Sequence, residues 1–188
     1  PPHRAGYAGQ NLGYPRLSAK GYLKMYDVNT HDVRRFFADV WRQRLAPLQL
    51  DKLQQKALRI IEAHPEYHHY LDNIERYLDH NWTPEQGETN PFLHLSLHLS
   101  IQEQSDIDQP PGIRAIHHEL QGRYAGDWVR AEHDMMDALA ETIWSAQRNG
   151  QGLDVNLYMT RLRLLVGLGQ EDEARLNPHE VAKMGTGQ

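Results

Sequence analysis

Two histidines four residues apart, His94 and His98, lie in the stretch FLHLSLHLSI, which has no formally charged residue. In a helix this spacing places both imidazoles on one face, and Gln102 and Ser105 fall on roughly the same side. A helix that is apolar on nearly all sides is buried. Because buried imidazoles need partners, we predict either a hydrogen-bonded polar layer in the core or neutral metal ligands here.

Two further pairs of possible metal ligands have the same four-residue spacing. His133 and Asp137 are four residues apart, and His133 falls where its helix is expected to pack. His64 and His68 bracket Pro65, which ends a helix, so that His68 starts the next one. His64 is interpreted as a surface residue on the connecting turn, and the alternative that the two rings converge on a site at the bend stays open.

The histidines on facing helices predict an interior metal site, since bundle metalloproteins carry ligands three or four residues apart on neighbouring helices. The predicted ligands are His68, His94, His98, His133 and Asp137. Without sulfur ligands, this set suits iron, zinc, manganese or nickel.

Glu141, one turn beyond Asp137, is a candidate to support a metal ligand or to act as an acid or base. An ordinary amphipathic helix with a solvated acidic face explains this glutamate equally well. Whether such a site is catalytic stays open. The residue after His94 is leucine, so the HExxH motif of zinc proteases is absent. His117 and His118 are adjacent on one helix and are interpreted as exposed.

Composition excludes several functional classes. The 188 residues include no cysteine, so disulfide scaffolds, thiolate metal sites and cysteine nucleophiles are ruled out. With no apolar run of 18 residues and no secretory signal, we expect a cytoplasmic protein without a membrane partner. The net charge of −5 argues against a nucleic-acid partner. A homo-oligomer stays open.

The hydrophobic periodicity predicts helices only. Val33, Phe36, Phe37 and Val40 follow helical spacing. Helix starts are predicted near Asp51 and at Asn90-Pro91, Asp127 and Asp154, and at the last three a side chain can cap the first turn. We predict an all-α fold, a single-domain helical bundle of four or more helices with an irregular N-terminal arm.

The predicted domain covers residues 25–166. Residues 1–24 are rich in Gly, Pro and Tyr without periodicity, and they predict the irregular arm. Two interpretations of this arm stay open: a flexible N-terminus, or an extension that is not part of a native fold starting near Met25. Residues 167–188 are predicted to form a flexible tail.

Four segments together resemble one bacterial family, the domain-of-unknown-function family 1841. They read HPEYH, GETNPFLHLSLHLSIQEQ, SDIDQPPGIR and HDMMDALAETIWSAQR, and the resemblance extends from about Met25 to Leu165. It implies a soluble cytoplasmic bacterial protein and no particular activity. A weaker similarity, to DinB-like and hemerythrin-like bundles that bind metal through histidines on facing helices, is an analogy only, because the spacing differs.

Overall fold

The computed structural model describes residues 30–83, 87 and 89–168. These residues form eight α-helices and three short 3₁₀ turns, and the described part of the chain contains no strand, so the predicted all-α class is confirmed. The α-helices α1 to α8 are Thr30–Arg42, Lys52–Glu62, His68–Asp72, Ile74–Tyr77, Pro91–Ile107, Ile113–Arg123, Trp128–Arg148 and Val155–Leu165. None of the described helices combines the length and apolar character needed to cross a membrane.

The chain divides into two compact units, whose described residues are those up to Phe92 and those from Leu93 onward. The predicted arm lies outside the described residues, as does the predicted tail apart from Gly167 and Leu168. The single domain over residues 25–166 therefore stays a prediction, as do the cytoplasmic location and the expectations about nucleic acid and oligomers.

In the first unit, α1 packs against α2, α3 and α4. Val33, Phe36, Phe37 and Val40 are buried as their helical spacing predicts. Asp51 forms a complete capping box with Gln54, in which each side chain bonds the other's backbone N–H at 2.8 and 2.9 Å. The capped start of α2 is therefore where the sequence predicts it.

The end of α2 shows how this unit uses two of its histidines. The helix stops at Glu62, Pro65–Tyr67 form a 3₁₀ turn, and α3 begins at His68. His64 donates through Nδ1 to the Ile60 carbonyl at 2.7 Å, and His68 donates through Nε2 to the Ile61 carbonyl at 2.8 Å. His64 is only 2% exposed, so its interpretation as a surface residue is wrong. Carbonyls in the last turn of a helix lack partners within the helix, and these two rings supply them.

The second unit is built from α5, α6, α7 and α8. The predicted N-caps of α7 and α8 are confirmed: Asp127 accepts from the Arg130 N–H and Asp154 from the Leu157 N–H. Helix α5 runs two residues beyond the predicted end near Ser105. Its residues from Leu95 to Ile101 are buried without interruption, which follows from its lack of charge in this stretch.

Candidate metal centre

The candidate site begins with the two histidines of α5. His98 is fully buried, with 0% of its surface exposed, and His94, one turn earlier, is half-buried. Their ring centroids are 5.0 Å apart. Because α5 is continuous through both positions, the four-residue spacing holds the two rings on one face, as the sequence predicts.

Helix α7 supplies the third histidine. His133 Nε2 lies 3.1 Å from His94 Nε2, and the His133 ring centroid is 4.9 Å from the centroids of both His94 and His98. The three rings thus form a nearly equilateral triangle. The potential ligand nitrogens of the three residues all lie within 4.8 Å of one another.

The 3.1 Å separation has two chemical explanations. Two neutral imidazoles can share one proton, with one nitrogen donating and the other accepting. Alternatively, both nitrogens can present lone pairs to one ion: zinc–nitrogen bonds of about 2.0–2.1 Å in a tetrahedral site place two ligand atoms about 3.3 Å apart. The nitrogens of His94 and His133 already have nearly that spacing.

A buried carboxylate fixes the other side of the His98 ring. Glu132, on α7 and only 1% exposed, accepts a hydrogen bond at Oε2 from His98 Nδ1 at 2.6 Å. An ionised carboxylate can only accept, so Nδ1 carries the proton. In the neutral ring the lone pair then belongs to Nε2.

Two further side chains approach Glu132. His117 Nε2, on α6, lies 3.3 Å from Oε1, and the Gln102 amide donates to Oε2 at 3.3 Å. Burial raises the pKa of the Glu132 carboxyl, but hydrogen bonds from His117 and His98 lower it by more. The net pKa lies below the ordinary value for glutamate, so Glu132 is an anion at neutral pH.

Three residues predicted for the site have other contacts or face solvent. His68 belongs to the first unit, where its ring bonds the Ile61 carbonyl and lies 4.0 Å from the Trp41 ring. Asp137 is exposed one turn beyond His133. The Glu141 side chain is 70% exposed and pairs with Arg161 at 3.7 Å. The structure thus brings together three of the five predicted ligands: His94, His98 and His133.

Helical geometry explains the placement of the acidic residues on α7. Viewed down the axis of α7, the mean direction of the buried side chains lies roughly 40° from the direction of Glu132 and roughly 140° from that of His133. His133 therefore lies well away from the centre of the buried face, and it is only partly buried. Each step of four residues adds about 40°, which turns Asp137 to the side facing solvent.

Two residues of the site, Glu132 and His117, are absent from the sequence-based prediction. Glu132 precedes Met135, Met136 and Leu139 by three, four and seven residues, which places a glutamate on an apolar face. His117 was interpreted as exposed, and this is wrong: its side chain is 12% exposed and reaches Glu132. It lies about 70° from the centre of the buried face of α6, whereas the exposed His118 lies about 170° from it.

Comparison with known proteins gives a family and no activity. The family described as "Domain of unknown function (DUF1841)" matches residues 29–164, which is most of the chain. The chain belongs to this family, as the motifs of the sequence indicate. No curated protein and no solved structure matches it.

Proposed function

We propose that this member of the DUF1841 family is a metal-binding protein, and that His94, His98 and His133 are nitrogen ligands of one divalent ion. The convergence of three imidazole rings from two helices of the second unit carries the proposal. Each ring is within 5.0 Å of the other two.

The positions of the protons are compatible with an ion bound by the three rings. His98 uses its Nδ1 proton on Glu132, which leaves a lone pair on Nε2. Between His94 and His133, one shared proton leaves only one of the two Nε2 atoms as a donor. One ion can accept a lone pair from each of the three rings, and imidazole nitrogen is the commonest protein ligand for such metals.

The chemistry of the donors narrows the choice of metal. Three neutral nitrogens without sulfur suit zinc, nickel or iron, whereas manganese favours carboxylate and carbonyl oxygens. Zinc fits best, because the 3.1 Å between the nitrogens of His94 and His133 is close to the edge of a zinc tetrahedron.

The test is the metal content of protein purified without an affinity tag, followed by zinc titration of the metal-free chain. We expect about one ion per chain, and His133→Ala should weaken binding by more than about 100-fold, beyond the range for residues that only support a ligand. His118→Ala is the matched control, since it removes an exposed histidine from the same unit. Equal affinities for the two variants would refute the proposed ligand set.

One observation supports a second candidate function, a non-enzymatic interaction protein whose histidines form a hydrogen-bonded core layer. The direct Nε2–Nε2 distance of 3.1 Å between His94 and His133 is a normal hydrogen-bond length. This function would be favoured if the untagged protein contains no metal and the metal-free chain does not bind zinc.

A further inference from the structure

We infer that Glu132 is a positioning residue for the histidine triangle, and that His117 holds Glu132 in place. The inference rests on the proposed function: it assigns control of metal affinity at that site to two residues that do not touch the ion. Glu132 lies between the two histidines, with Oε2 toward His98 and Oε1 toward His117.

The first step is the choice of tautomer at His98. A free imidazole distributes its proton between both ring nitrogens, and only the tautomer protonated at Nδ1 offers a lone pair at Nε2. The bond from Nδ1 to Glu132 at 2.6 Å selects this tautomer and fixes the plane of the ring. Histidine ligands of metals characteristically donate their second N–H in this way, and a carboxylate acceptor also makes the ligand more basic.

The second step is the charge of Glu132. An anion that is 1% exposed is strongly disfavoured unless nearby groups stabilise it. The donors around it include His98 and the Gln102 amide. A divalent ion bound at His98 would add positive charge on the far side of that ring. The buried anion and the bound cation therefore stabilise each other.

His117 lies on α6, whereas the hydrogen-bonded pair His98 and Glu132 lies on α5 and α7. His117 Nε2 lies 3.3 Å from Oε1, the oxygen that His98 does not use, and 3.0 Å from the amide nitrogen of Gln121. The proposed role assigns the proton of this Nε2 to Glu132. A contact at each oxygen restricts rotation of the carboxylate. The His117 side chain is 12% exposed, so it is less buried than the carboxylate that it contacts.

The first measurement needs no substitution: the tautomer of His98 in the metal-free chain, read from the ¹⁵N shifts of histidine side chains. The expected result is a single tautomer protonated at Nδ1. In Glu132→Gln, where a neutral amide replaces the carboxylate, we expect the tautomer protonated at Nε2 to appear. A mixture of tautomers at His98 in the unsubstituted chain would overturn the inference, and this result does not depend on any variant folding.

The second measurement is zinc affinity. Glu132→Gln should bind zinc 10–100-fold more weakly, the range for residues that support metal ligands, and His117→Gln about tenfold more weakly. The matched controls are Glu119→Gln, an exposed carboxylate paired with Arg123, and His118→Gln, the exposed neighbour of His117. Both controls should keep the affinity of the unsubstituted chain, and Glu132→Asp should recover part of the loss because it keeps the charge.

The outcomes separate this inference from the proposed function. If the unsubstituted chain binds zinc and Glu132→Gln binds it equally well, the positioning role is overturned while the metal site stands. If the unsubstituted chain binds no zinc, the proposed function fails and with it the control of affinity.

Discussion

The chain contains two pairs of histidines at the same four-residue spacing, and the structure uses them differently. His64 and His68 each donate to a carbonyl in the last turn of α2. His94 and His98 lie within the continuous helix α5, where backbone carbonyls are already engaged in the helix, and their partners come from α7. The first pair donates hydrogen bonds to carbonyls at the end of α2, whereas the second pair joins side chains of α5 and α7.

Pro65 accounts for the difference. This proline directly follows His64, and the backbone of His64 is non-helical, with φ −126° and ψ 65°. The residue before a proline is disfavoured in the helical region, so α2 ends there and exposes its final carbonyls. Spacing of four residues therefore predicts a shared face only where nothing interrupts the helix between the two positions.

The largest expected effect is a loss of metal-dependent stability in His98→Ala. An ion that binds only the folded chain stabilises it by about 4 kcal/mol at a free concentration 1,000 times Kd. A chelator should therefore lower the Tm of the unsubstituted protein, measured by calorimetry in zinc-containing buffer, and should leave the Tm of His98→Ala unchanged. A chelator effect of equal size in both proteins would contradict the assignment of His98.

His68→Ala should cost less and should be independent of metal. The substitution removes one of two donors to the Ile61 carbonyl, which keeps the backbone N–H of His64 at 3.0 Å, and it removes the ring that contacts Trp41. The loss of one hydrogen bond whose acceptor keeps another partner costs about 0.5–1.5 kcal/mol. Urea unfolding should show this loss equally with and without chelator. A loss that appears only in the presence of zinc would make His68 a ligand and remove the contrast between the two pairs.

Pro65→Ala tests the origin of the contrast. Proline suits the first position of the 3₁₀ turn and restricts the unfolded chain, so its loss should lower the free energy of unfolding by about 0.4–1 kcal/mol. Urea unfolding of the two chains measures the difference. An increase in stability would mean that the helix gains by continuing through His64.

Asp137→Asn should give the smallest effect, and its sign depends on pH. Burial raises the pKa of Asp137, the charge of Asp134 raises it further, and His133 opposes this. A carboxyl whose pKa is higher in the folded state lowers stability once the pH exceeds its unfolded pKa. The variant should therefore melt slightly above the unsubstituted protein at pH 7, and the difference should vanish below about pH 4. A loss of zinc affinity in this variant would place Asp137 among the ligands.

The sequence predicts the helices well because their signals are local. Asp51, Asp127 and Asp154 accept backbone N–H groups of the turns that follow them, and such caps depend only on neighbours in the chain. The relation between His94 and His98 is also local, since it requires only that α5 be continuous.

The remainder of the site depends on how helices face one another, which spacing along a single helix does not determine. The four-residue spacing from His133 predicts Asp137 as a ligand. The buried face of α7 is instead centred near Glu132, and Asp137 is exposed. The approach of His117 to Glu132 joins α6 to α7. A glutamate on an apolar helix face is a usable sequence signal, but its partners follow from packing between helices.

The most direct test of the metal site is a crystal structure of the zinc-loaded chain with anomalous scattering measured at the zinc edge. We expect one anomalous peak within about 2.0–2.1 Å of a ring nitrogen of each of His94, His98 and His133, with the Nδ1 bond from His98 to Glu132 retained. A zinc-soaked crystal with no peak among these three rings, or with a peak bound only by exposed carboxylates, would rule out the proposed metal site.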